Sequence, residues 1–174
     1  MAGTASCAGN QGRGAEKIKT VITDLLDGLG IPYEVKPHDA PVFTSDEAAR
    51  QRGVRLSQIV KTMLLRDKDD SILLAVLPGD RRLDVKKLRK LSGRKNLQLM
   101  DRKAIEDRLG VVVGALAPIG PAVAGLAAYI APAVFEEDRL DISSGDPTAG
   151  VELDRDDLKR LLAHATVAEI AKKD

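Results

Sequence analysis

Residues 59–66 and 71–77 are two strand-like runs joined by the polar Asp67-Lys68-Asp69-Asp70, and they leave little freedom in the choice of fold. In an extended chain Ile59, Lys61, Met63 and Leu65 share one face, and Val60, Thr62 and Leu64 share the other. Both faces are apolar, so this strand belongs in the middle of a sheet that is covered on both sides. Lys61 is the exception in the run. An unpaired buried ammonium is costly, so it must reach a partner, a pocket or the rim of the sheet. Edge protection or snorkelling near a strand start would also account for it.

The rest of the chain supplies the covering layers. Ile18, Val21, Ile22, Leu25, Leu26 and Leu29 recur at helical spacing, which predicts an amphipathic helix over residues 15–29, stopped by Gly28, Gly30 and Pro32. Residues 32–36 read as a short strand. Thr44-Ser45-Asp46-Glu47 fits a capping box, followed by a helix to Arg52 and a stop at Gly53. Pro78-Gly79-Asp80 is a turn. Asp84 caps a helix to Ser92 with Val85, Leu88 and Leu91 inward, and Asp101 caps another that ends at Gly110. Residues 96–100, 111–113, 126–130, 139–143 and 151–153 read as strands, and Asp154 starts a last helix through Leu162. This mixture predicts an α/β (α+β) chain with a mixed sheet flanked by helices. Neither G-x-G-x-x-G nor a Walker-type loop is present.

Composition removes several functions. At 174 residues the chain suits one domain, placed at 15–174 behind a flexible, Gly- and Ala-rich tail at 1–14. Cys7, the only cysteine, lies in that tail and has no partner for an internal disulfide. The tail lacks the basic start and apolar stretch of a secretion signal. Prolines 118, 121 and 132 make the apolar run at 111–134 a poor membrane span. A cytoplasmic protein without membrane contact is expected. Tyr33, Phe43, Tyr129 and Phe135 are the whole aromatic set, too few for a stacking platform. Net charge is +1, yet residues 80–95 hold eight Lys/Arg, among them Arg81, Arg82, Lys86 and Lys87. That stretch can face phosphates or be a solvated helix face.

Few residues offer chemistry. His38 and His164 do not pair up, and two histidines make poor zinc ligands. No nucleophile elbow surrounds Ser143-Ser144-Gly145, where a hydroxyl can bind a ligand hydroxyl or cap a turn. Gly114 to Pro118 frames small residues. A glycine there lets backbone approach a ligand and donate its N–H to an oxyanion, although a plain tight turn fits as well. What remains is catalysis by positioning, with backbone donors and a lysine around a labile substrate.

Lys61-Thr62, Pro78-Gly79-Asp80-Arg81-Arg82-Leu83-Asp84, Gly114-x-x-x-Pro118-x-Gly120 and Ser144-Gly145 before Val151-Glu152-Leu153 occur in that order. The chain in this respect resembles the YbaK / prolyl-tRNA-synthetase-associated editing domain family, over about residues 16–172. The resemblance implies a compact, partly barrel-like mixed sheet and an aminoacyl-tRNA deacylase that cuts the ester of a mischarged tRNA. It implies Lys61 and Gly114 as the catalytic pair: the lysine orients the aminoacyl end or the terminal ribose and phosphate, and the glycine N–H holds the carbonyl. It implies Thr62, Ala115, Pro118, Ser144 and Gly145 around the substrate, with His38 and Phe43 on a pocket-side segment. No metal or organic cofactor is implied. Aminoacyl-tRNA would be the substrate and partner, tRNA for proline carrying Cys, Ala or a similar small residue, with prolyl-tRNA synthetase as a second partner. The chain is too short to hold a synthetase's other domains, so it would act in trans. A non-catalytic tRNA- or nucleotide-binding module on the same fold is the alternative, and a module docking on a synthetase is a third.

Overall fold

The computed structural model describes residues 18–173; the tail with Cys7 and the first residues of the expected helix lie outside them. The elements, in order, are α1 (Val21–Gly28), β1 (Tyr33–Pro37), α2 (Ser45–Arg52), a 3-10 turn (Leu56–Gln58), β2 (Val60–Arg66), β3 (Ile72–Pro78), β4 (Arg82–Leu83), α3 (Val85–Ser92), β5 (Gln98–Leu99), α4 (Arg102–Leu109), β6 (Ala127–Ile130), a second 3-10 turn (Pro132–Glu136), β7 (Arg139–Ser143), β8 (Ala149–Asp154), α5 (Arg155–Leu161), β9 (Thr166–Val167) and β10 (Ala171–Lys172).

The two strand-like runs form the hairpin β2–β3, antiparallel from Val60 against Pro78 to Arg66 against Ile72. It sits inside a five-stranded sheet of order β5-β2-β3-β6-β9, in which β6 and β9 run parallel to their neighbours. Alternation assigns each hairpin residue to one of two cores. Leu64, Leu74, Val76 and Ile130 pack with Ile22 and Leu26 of α1 and with Ile142, Val151 and Leu153 of β7 and β8. Leu65, Leu73, Ala75 and Leu77 pack on the other face with Leu88 of α3 and with Leu97. The all-apolar sequence of β3 follows from this double burial. A second sheet, β1-β8-β7, is antiparallel throughout, and β4 pairs with β10.

The mixed α/β architecture is as the sequence indicates, with two adjustments. The sheets stay open, so the barrel-like element of the expectation gives way. A single parallel bridge, Ile59 with Asp141, joins the two larger sheets. The first helix begins at Val21 because Thr20 is its N-cap: the Thr20 hydroxyl accepts from the Thr23 N–H, and the Thr23 hydroxyl accepts from the Thr20 N–H. The caps at Thr44, Asp84, Asp101 and Asp154 are all formed. Residues 111–113 form no strand; they enter the loop that carries Gly114. Leu91 is about half exposed, since the short α3 turns Leu88 inward instead.

Candidate active site

The cleft of interest opens where β2 lacks a neighbour. Pairing of β2 with β5 is confined to Leu65 and Arg66, and the bridge to β7 is at Ile59. The Ile59 carbonyl faces β3, accepting from the Gly79 N–H at 2.7 Å, whereas the Leu64 carbonyl faces the other way, accepting from the Met100 N–H at 2.9 Å. By the two-residue alternation of an antiparallel ladder, Thr62 turns its N–H and C=O toward the open edge. Its buried hydroxyl has no hydrogen-bond partner.

Around this edge lies a cleft of about 160 Å³ lined by Lys61, Thr62, Phe43, Gly114, Arg52 and Ser143, among others. Three walls meet there: the β2 edge, α2 with the segment leading into it, and the Gly114 loop. At the mouth, the Glu47 carboxylate accepts from the Phe43 and Thr44 N–H groups, which hold it below the usual carboxylate range. Phe43 is 47% exposed, with the Arg102 guanidinium 4.9 Å from its ring centre. Gly114 has φ +95°, and a Cβ there would run into the Val42 carbonyl oxygen. Only glycine lets this loop close against α2's leading segment. The Gly114 carbonyl accepts from the Ser143 hydroxyl at 3.1 Å. Among the described residues, no hydrogen bond uses the Gly114 N–H.

Lys61 is placed at the rim, and its ammonium donates to the Arg81 carbonyl at 2.7 Å. The backbone of Arg81 thus fixes the lysine, and the basic run begins at that point. Lys86 and Lys87 on α3 and the neighbouring Arg82 are exposed; Arg81 is largely covered. The acids of residues 136–157 are mostly paired instead: Glu137 with Arg55, Asp138 with Arg155, Glu152 with Arg139, and Asp141 with Arg52.

Several expected site residues lie elsewhere. Ser144 is fully buried, and its hydroxyl donates to the Ala149 carbonyl at 2.9 Å and accepts from the Asp146 N–H. It builds a turn, and the residue that reaches the cleft is its neighbour Ser143. Ala115 and Gly145 line a separate apolar groove of about 510 Å³ behind the loop. Pro118 is buried. His38 sits in its own loop, its backbone N–H donating to the Thr148 carbonyl and its ring Nδ1 2.6 Å from the Ala40 carbonyl, while its buried Nε2 has no hydrogen-bond partner.

Arg52 and Asp141 escaped the sequence reading. Their side chains are 4% and 0% exposed, with Nη1 and Oδ1 2.5 Å apart. Burial pushes the Asp141 carboxyl up to about 6, against the opposing pull of Arg52. The native state therefore binds a proton more tightly than the unfolded chain, so this group's contribution to stability is lost as pH rises from about 4 through about 6. We expect urea denaturation to show a difference in pH dependence between the parent and Asp141→Asn of on the order of 2 kcal/mol across that window. Parallel pH profiles would contradict it.

Residues 39–161 match the model of a family described as the aminoacyl-tRNA editing domain. A candidate Cys-tRNA(Pro)/Cys-tRNA(Cys) deacylase of Enterococcus faecalis is 28% identical over 132 residues, 76% of this chain and 79% of that one. The proline–tRNA ligase of Thermosipho melanesiensis is 34% identical over 83 residues, 48% of this chain; they span only 14% of the ligase. Among solved structures, the hypothetical protein APE2540 superposes with a TM-score of 0.77 at 23% identity, covering 88% of this chain and 100% of that one. A candidate trans-editing enzyme for prolyl tRNA synthetase superposes at 0.74 with 24% identity, covering 87% and 94%. At these identities the two structures bear on the fold, which is the same. Among the described residues no helix is long and apolar enough to cross a membrane, and no group of three or more His, Cys, Asp or Glu could hold a metal ion.

Proposed function

Since this chain belongs to the aminoacyl-tRNA editing domain family, we propose that it is a trans-acting deacylase that hydrolyses the ester of mischarged tRNA in the cytoplasm. The observation that carries this is the single cleft lined by Lys61, Thr62 and Gly114 at an open strand edge. A synthetase separates amino acids differing by a methylene by only about 1–3 kcal/mol, so a second hydrolytic site is needed. The aminoacyl ester is already activated. Water adds to the acyl carbon, the bond to the ribose oxygen breaks, and that oxygen leaves with the proton. The chain has only to align water and ester and to stabilise the oxyanion. In this reading the Gly114 N–H faces the carbonyl, Lys61 orients the terminal nucleotide, and Thr62 lines the acyl pocket. A cleft of about 160 Å³ suits a small side chain. The cysteinyl specificity in the name of the E. faecalis relative supports tRNA for proline carrying cysteine as the first substrate to test, with alanine, another small residue, beside it. Prolyl-tRNA synthetase is the proposed second partner.

The basic track from Arg81 and Arg82 to Lys86 and Lys87 starts at the lysine rim and is proposed to follow the acceptor stem. The test is a panel of mischarged tRNAs, led by alanyl- and cysteinyl-tRNA for proline. If every ester stays intact at high protein concentration, the deacylase reading is lost. Salt-sensitive binding without hydrolysis would favour the non-catalytic module. Changing the four basic residues to glutamine should flatten the plot of log affinity against log salt by about 0.9 for each phosphate contact removed. An unchanged slope would move the stem to another face.

A further inference from the structure

We propose that Arg52 is the specificity-determining wall of the cleft: its guanidinium, clamped by Asp141 and seated on Gly150, limits the acyl side chain that can enter. This rests on the deacylase reading. Arg52 ends α2, lines the cleft, and is almost wholly covered. The side chain lies against the β8 backbone. A Cβ at Gly150 would be 2.5 Å from Nη1 and 2.6 Å from Cζ and Nε. Asp141, the clamp, also bridges to Ile59, another cleft-lining residue, so the wall is anchored to the floor it stands on. The paired carboxylate largely cancels the charge of Arg52 at this point. What the arginine adds to the cleft is bulk in a fixed position. It is therefore a residue that chooses by size, acting on substrate entry and not on the bond that breaks.

Two substitutions on opposite sides of this side chain should then act in opposite directions. Arg52→Ala removes the wall and deepens the cleft. Gly150→Ala drives the guanidinium off β8 and into the cleft. The readout is kcat/KM of the purified full chain on proline tRNA charged with alanine and with leucine. We expect R52A to raise the leucine-to-alanine ratio at least tenfold. G150A should cut alanyl hydrolysis at least tenfold, mainly through KM, with no gain on leucine. In the double variant R52A/G150A the new methyl has room, so the ratio should return to that of R52A. If R52A fails to fold because Asp141 is left unpaired, R52A/D141N removes both charges and carries the same expectation. A ratio unchanged in R52A, or in R52A/D141N where R52A does not fold, overturns the proposal. So does a matching loss in R52A and G150A, which is what a merely structural arginine would give. If the parent hydrolyses none of the panel of esters, the deacylase reading fails, and this inference falls with it. If the parent hydrolyses alanyl-tRNA and the ratios do not move, only the inference fails.

Discussion

Gly114→Ala is expected to lower single-turnover deacylation on the order of 100-fold and to destabilise the chain by about 1–3 kcal/mol. The backbone at φ +95° is one that side-chain-bearing residues rarely adopt, and the added methyl meets the Val42 carbonyl oxygen. That oxygen belongs to the segment leading into α2, so relief of the clash must spread the loop from that wall. Both are walls of one cleft. In the proposed reaction the displaced loop would also take its N–H away from the reacting carbonyl. Denaturant midpoints and single-turnover rates on alanyl-tRNA check the two parts separately. A variant with the parent's rate would show that the glycine serves the turn and not the reaction.

Lys61→Met is the second large effect, and its signature is different. Methionine keeps an apolar stem of similar length, so the strand should pack as before, and the lost hydrogen bond to the Arg81 carbonyl costs about 1 kcal/mol. On the proposed role of Lys61 the rate should nevertheless fall on the order of 100-fold, because an uncharged side chain cannot replace the fixed charge that would orient the substrate. Circular dichroism melts and deacylation rates measure both. Full activity in this variant would leave Lys61 as an edge-protecting residue only.

Much of this was open to reading from the residues. The hairpin, the caps at Thr44, Asp84, Asp101 and Asp154, and the glycine stops were legible because each is a local rule with a local cause. The pairing of Lys61 with Gly114 in one cleft came only from the family resemblance; spacing alone could not bring residues 61 and 114 together. Arg52 was invisible. An arginine at the end of the polar helix 45–52 looks like a solvent-facing complement to the helix dipole, and nothing local says that Asp141, far along the chain, covers it. A weak signal did exist in Gly150, a glycine inside a strand, which often marks close approach by another group. Ser143 and not Ser144 faces the cleft because successive residues at a strand end turn their side chains to opposite faces. The two-residue strands β9 and β10 are too short to carry a period of two, so their pairing comes from tertiary packing.

The gap beside Thr62 has a cost beyond chemistry. A strand margin with outward-facing donors and acceptors is a template onto which another extended chain can dock. Here the hazard is screened by what stands around it, the α2 segment on one side and the glycine loop on the other. Mutations that loosen either screen would therefore do more than slow turnover; they would uncover an adhesive seam. Solubility and the capacity to take in a ligand are in this molecule drawn from the same few ångströms of backbone.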